Sequence, residues 1–125
     1  MSGVHFGDYL GLERPVFEGE YTVIALDIKD HHLNVLGVVH GGVITTLSDT
    51  TMGTASFVQA RRPLVTVELK ISFMRPAFKG RLTAKAKVLK KGEHLVFAAC
   101  SVFDEEGKEV AVALGTYMII DQIKR

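Results

Sequence analysis

Cysteine is almost missing from these 125 residues: Cys100 stands alone in an apolar run. That removes a disulfide framework and a zinc cluster from consideration, and it fits a reduced, cytoplasmic compartment. Charge of one sign is also missing, since 15 basic against 14 acidic residues leave a net charge of +1. Such a balance gives little electrostatic attraction to nucleic acid or to a membrane surface. No run of eighteen apolar residues offers a membrane span. Met1 to Leu12 lacks the basic start and apolar stretch of a signal peptide. Neither repeats nor low-complexity segments occur. With 47% hydrophobic and 23% charged residues, the chain reads as one folded domain, residues 1–125, with a single core.

The rest is organised around one stretch, Asn34 to Ala60. Val43, Ile44, Leu47, Thr51, Ala55 and Val58 recur at spacings of three and four, which marks one face of a core-bound helix. From His40 to Gln59 such a helix would be roughly 30 Å long, the breadth of a small domain. So long and apolar an element must be surrounded.

The flanking segments supply the wrapping. Val4 to Leu10 reads as a short helix and Glu20 to Ile28 as a first strand. Beyond Pro63 the period changes to two. In Leu64 to Met74, Val65, Val67, Leu69, Ile71 and Phe73 should share one buried face, with Thr66, Glu68, Lys70 and Ser72 opposite. Arg81 to Lys91, Glu93 to Asp104 and Lys108 to Asp121 are three more strands, joined by tight turns at Lys91-Gly92 and Asp104 to Gly107. Short loops favour an antiparallel meander. The expected fold is therefore α+β, one curved antiparallel sheet wrapped around one long central helix.

Two features inside the helix stretch could carry chemistry. His40, Gly41 and Gly42 stand at the helix entrance, where backbone N–H groups lack partners and the helix dipole is positive. Glycines there would let a ligand oxygen approach the backbone, and the same glycines would equally serve close packing of helix on sheet. Asp49 is the only charged residue from Gly41 to Ala60. A mid-helix carboxylate in a buried setting is costly unless paired or used. A place on an exposed stripe, or a bond to the Ser48 or Thr45 hydroxyl, would account for it equally well. Gly41 and Asp49 are about 12 Å apart along the helix axis. If both act on one substrate atom, they must come from different subunits, and the site lies at a dimer interface.

The pattern N-x-x-G-x-x-H-G-G-x-x-x-T-L-x-D, here Asn34, Gly37, His40, Gly41, Gly42, Thr46, Leu47 and Asp49, resembles the signature of the hotdog-fold acyl-CoA thioesterases. Within them it is most similar to the PaaI-like branch of phenylacetate degradation. Thr66 to Ala77 also resembles that family's strand after the helix. The resemblance implies a hotdog fold and hydrolysis of an acyl-CoA, of aryl or medium-chain type, without a cofactor or metal. It implies roles for five residues. The Gly41 N–H would polarise the thioester carbonyl, and Asp49 would activate water or attack directly. Asn34 would position water or thioester, His40 would orient the loop near the carbonyl, and the Thr66 hydroxyl would assist the carboxylate. The nucleotide of coenzyme A would lie near Arg75 and Lys79 and near Lys90, Lys91 and Gly92. It further implies a homodimer with shared sites, doubled into a homotetramer.

Other residues read as background. Asp30, His31 and His32 look like a solvated loop, because adjacent side chains diverge and no further ligand is suitably spaced. Cys100 reads as a small buried hydrophobe. Two rival functions remain open at this level. A hotdog dehydratase or hydratase would use His40 as its acid–base group, although the glycine pair and Asp49 favour hydrolysis. A non-catalytic acyl-CoA-binding module would gain nothing from a buried Asp49.

Overall fold

The computed structural model describes residues 5–121. Helix α1 (Phe6–Leu10) precedes strands β1 (Val16–Glu18) and β2 (Tyr21–Asp27), a 3-10 turn at Asp30–His32, and helix α2 (Gly41–Ala60). Strands β3 (Leu64–Phe73), β4 (Arg81–Lys91), β5 (Leu95–Phe103) and β6 (Glu109–Ile119) follow. All six strands form one antiparallel sheet in the order β1-β2-β4-β5-β6-β3. Val4, the expected start of α1, lies outside the described residues.

Why helix and sheet fit together can be read from side-chain size. Ala84 and Ala86 on β4, Ala98 on β5, and Ala111 and Ala113 on β6 all point into the core. Small residues on the three central strands leave room for the helix, which fills it with Val43, Ile44, Leu47, Met52 and Ala55. Leu47 and Met52 are fully buried, each contributing about 1.5–3 kcal/mol of transfer free energy. Val58, expected on the same face, is only half-buried. Arg61 closes α2 in a left-handed conformation (φ 58°), its N–H donating to the Phe57 carbonyl at 2.8 Å.

Four expectations need correction. The first strand is preceded by another, β1, folded back through a turn at Gly19 (φ 61°). The four later strands are not a simple meander: β3 pairs with β6 at the far edge, and β4 sits beside β2. Residues 74–80 can reach about 25 Å, enough to cross the roughly 14 Å of three strand spacings, so a short loop did not oblige its strands to be neighbours.

Strand β3 also breaks its alternation. Its register with β6 shifts between Thr66 and Glu68, so Val67 is an extra residue bulged out of the ladder. Val65, Val67 and Phe73 are exposed, whereas Leu64, Leu69 and Ile71 pack on the core. A bulge re-aims the side chains on one side of it, and here it turns Thr66 toward the helix.

His32, finally, is not in a solvated loop. It is 1% exposed. Its Nδ1 accepts the Lys29 N–H at 2.9 Å and its Nε2 meets the Leu10 carbonyl at 2.8 Å. The His32 carbonyl accepts the His40 N–H at 2.8 Å. A buried imidazole with both nitrogens bonded is a structural tie, here between α1 and the loop leading to α2. Among the described residues no three His, Cys, Asp or Glu side chains gather as metal ligands. Among them, too, no helix is long and apolar enough to cross a membrane.

Candidate active site

The helix entrance is built by hydrogen bonds within the loop. Asn34 Oδ1 accepts the N–H groups of Leu36 (2.9 Å) and Val38 (3.3 Å), an Asx-type turn that Gly37 completes at φ 80°. A bridge between Leu33 and Val39 closes the loop's base. His40 then caps α2: its Nδ1 accepts the Gly42 N–H at 2.8 Å, which leaves the proton of a neutral ring on Nε2. The Val43 N–H donates to the His40 carbonyl. Among the described residues no acceptor takes the Gly41 N–H. It opens beside a groove of about 350 Å³ lined by Val38, Val39, Gly41, Ile44, Phe73 and residues 74–77. A Cβ on Gly41 would lie 3.3 Å from the Phe73 ring, so glycine keeps this approach clear.

Two turns along the helix, Asp49 is half-buried and held from the sheet. Thr66 Oγ1 donates to its Oδ1 at 2.9 Å, and the Tyr117 hydroxyl donates to the same oxygen at 2.8 Å. Among the described residues no donor reaches Oδ2. Neither neighbouring helix hydroxyl serves Asp49: Thr45 donates to the Gly41 carbonyl, and Ser48 Oγ is buried near the Cys100 thiol. Tyr117 was not anticipated from the sequence. It is the cross-strand partner of Thr66, and an aromatic hydroxyl in a mostly apolar last strand was the available signal. Gly115 makes room for it, since a Cβ there would come within 2.8 Å of the Tyr117 ring. Burial foremost, then the Asp49 charge and hydrogen bond, push the Tyr117 phenol far above its ordinary pKa, so it stays a donor. A second groove, of about 400 Å³, runs from Asp49, Thr66 and Tyr117 past Gly53 to Phe57 and Leu64.

The basic residues divide between the two ends of the sheet. Arg75 and Lys79 line a depression of about 410 Å³ with Phe78, residues 104–106 and Lys108. Lys90, Lys91 and Gly92 lie at the opposite end of β4, roughly 30 Å away at strand rise. Lys91 pairs with Val96, which pairs with Tyr117, so this end belongs with Asp49, and Arg75 with Gly41. One nucleotide cannot touch both sets within one chain.

The Thioesterase superfamily model matches residues 36–111, which span the helix entrance, Asp49, Thr66 and most of the sheet. This chain belongs to the thioesterase superfamily. Acyl-coenzyme A thioesterase 13 of Mus musculus is 33% identical, over 74% of this chain and 68% of its own length. The PaaI protein of E. coli, from the phenylacetic acid degradation operon, superposes with a TM-score of 0.84 at 27% identity, covering 91% of this chain and 83% of that one. A variant of the phenylacetic acid degradation protein PaaI from Thermus thermophilus gives 0.83 at 27% identity, covering 92% and 98%. The thioesterase has the hotdog fold, is similar to the PaaI branch, and is a thioester hydrolase.

Proposed function

We propose that this thioesterase hydrolyses acyl-CoA with Asp49 as general base, in sites shared between two subunits. The observation that carries the reading is the state of the Asp49 carboxylate. Thr66 and Tyr117 fix Oδ1, which leaves Oδ2 to hold a water above the groove. Asp49 takes a proton as that water attacks the thioester carbonyl carbon. The developing oxyanion needs a preorganised donor, and the Gly41 N–H is one that no acceptor among the described residues takes. Because Gly41 and Asp49 of one chain stand about 12 Å apart, the donor comes from a second copy. When the C–S bond breaks, the proton on Asp49 passes to the departing thiolate. A thioester is activated enough that base and oxyanion donor suffice.

The remaining residues have supporting parts. His40 and Asn34 set the position of the Gly41 N–H through their bonds to the loop backbone. Across such a dimer, Arg75 and Lys79 of one chain approach Lys90, Lys91 and Gly92 of the other, which gives the phosphates of coenzyme A cations from both. Exposed Phe97, Leu114 and Met118 on the outer sheet face supply apolar surface for doubling the dimer into a homotetramer. Residues 1–125 act as a single catalytic domain.

The test is thiol release from hexanoyl- and phenylacetyl-CoA by wild type and Asp49→Asn. A loss in kcat of at least about a hundredfold with little change in KM is expected of a removed base. Undiminished turnover by Asp49→Asn would remove Asp49 from the mechanism.

A further inference from the structure

Gly53 sits in the middle of α2, where glycine destabilises a helix relative to alanine because it has more backbone freedom to lose. Most of the described glycines have a local reason to be glycine. Gly11, Gly19, Gly37, Gly80 and Gly107 adopt positive φ. At Gly7, Gly41, Gly42, Gly92 and Gly115 a Cβ would come within 3.3 Å of a neighbour or closer. Gly53 has neither reason: its backbone is helical, and a Cβ would meet only the Tyr117 ring edge, at an ordinary 3.5 Å. The fold would accept a side chain there.

The site explains what the fold does not. Asp49, Gly53 and Phe57 follow one another at intervals of four residues, so they line one side of the helix, and all three border the groove that contains Thr66 and Tyr117. Gly53 is about 6 Å beyond Asp49 along the axis. A thioester carbonyl at Asp49 with its acyl group lying along this groove would put the acyl group's outer carbons there. Tyr117 walls the groove on one side and Phe57, 46% exposed, stands at its far end.

We infer that Gly53 is a specificity-determining residue, its missing side chain widening the acyl groove between Asp49 and Phe57 to admit a planar, aromatic acyl group. This inference rests on the hydrolytic reading of the Asp49 site. A ring lying over Gly53 would have the Tyr117 and Phe57 rings as neighbours, an arrangement aromatic groups favour. A straight chain of equal length needs no such breadth and gains less from those walls.

The experiment compares phenylacetyl-CoA with hexanoyl-CoA, substrates of similar length and unequal breadth, on wild type, Gly53→Ala and Gly53→Ser. The readouts are kcat/KM for each substrate and the melting temperature of each variant. We expect the phenylacetyl to hexanoyl ratio of kcat/KM to fall at least tenfold in Gly53→Ala and as far in Gly53→Ser, with a melting temperature at or above wild type for Gly53→Ala. An unchanged ratio in well-folded variants overturns the role of Gly53 and leaves the thioesterase reading standing. A lowered melting temperature for Gly53→Ala overturns it too, because the glycine would then be structural. Absence of thiol release from both substrates by wild type overturns the hydrolytic reading itself, and the role of Gly53 with it.

Discussion

Tyr117, near the end of the last strand, donates its phenol proton to Asp49 Oδ1 at 2.8 Å, on the same oxygen that Thr66 reaches at 2.9 Å. The two donors come from adjacent strands and are cross-strand partners, so sheet register alone delivers both to one carboxylate oxygen. A carboxylate free to rotate would offer either oxygen in many directions. With Oδ1 tied twice, Oδ2 has one direction.

Removing the ties one at a time should therefore affect rate more than affinity. For Tyr117→Phe and Thr66→Val we expect kcat to fall about ten- to hundredfold each, the scale of one hydrogen bond to a charged group, with KM nearly constant. The double variant should lose more than the product of the two if one donor alone suffices to fix the carboxylate, and less if both are needed. Steady-state kinetics on a single acyl-CoA, with melting temperatures as a control for folding, decides this. Unchanged kcat in both single variants and in the double variant would show that Asp49 needs no orientation from the sheet.

The helix, most of the strands and Asp49 were legible in the sequence because each is written in local terms: a three-to-four period, a two period, and one charge in an apolar stretch. What escaped depends on long-range register. The bulge at Val67 leaves no mark in an unbroken alternation from Val65 to Phe73, yet it decides whether Thr66 faces solvent or Asp49. Tyr117 is 68 residues from its partner. His32 looked solvated because its neighbours are polar, while its actual partners are backbone groups of Lys29 and Leu10. The division of the cations between two ends of β4 likewise follows from strand order, which loop length did not reveal.

Cys100 gives a prediction about alkaline stability. Its thiol faces the helix and is 4% exposed. Burial, only partly offset by the nearby Ser48 hydroxyl and the Lys85 backbone, pushes it up to about 12 from an ordinary 9.0. Between those values the unfolded chain gives up a proton that the folded chain keeps. Stability that is complete below pH 9 is therefore lost as pH rises toward 12, at up to about 1.4 kcal/mol per pH unit. Tyr117 adds a second loss in the same direction above its ordinary 10.0. Denaturant unfolding at several pH values should show a shallower decline for Cys100→Ala than for wild type over pH 9 to 11. Equal slopes would mean that the thiol ionises alike in both states. The same burial should protect Cys100 from thiol reagents in the native protein.

The shared site can be tested by mixing two inactive proteins. Asp49→Ala removes the base. Gly41→Pro removes only the N–H, and at the first helical position proline is well tolerated. His40 already has the extended conformation, φ −61° and ψ 135°, that a following proline demands. Each variant alone should be inactive, because every site lacks one of its two groups. After dissociation and random reassociation, half the dimers are heterodimers. If sites are built across the interface, one site of each heterodimer carries both defects and the other carries none, so a twofold assembly recovers about a quarter of wild-type activity. If both groups act within one chain, every site in every dimer keeps one defect and the mixture stays silent. Phe73 is the neighbour to watch, since the proline ring would press on it at about the 3.3 Å contact that a Cβ makes. A melting temperature for Gly41→Pro near that of wild type keeps the comparison clean, and recovered activity from two silent parents then assigns the Gly41 N–H and the Asp49 carboxylate of one working site to different chains.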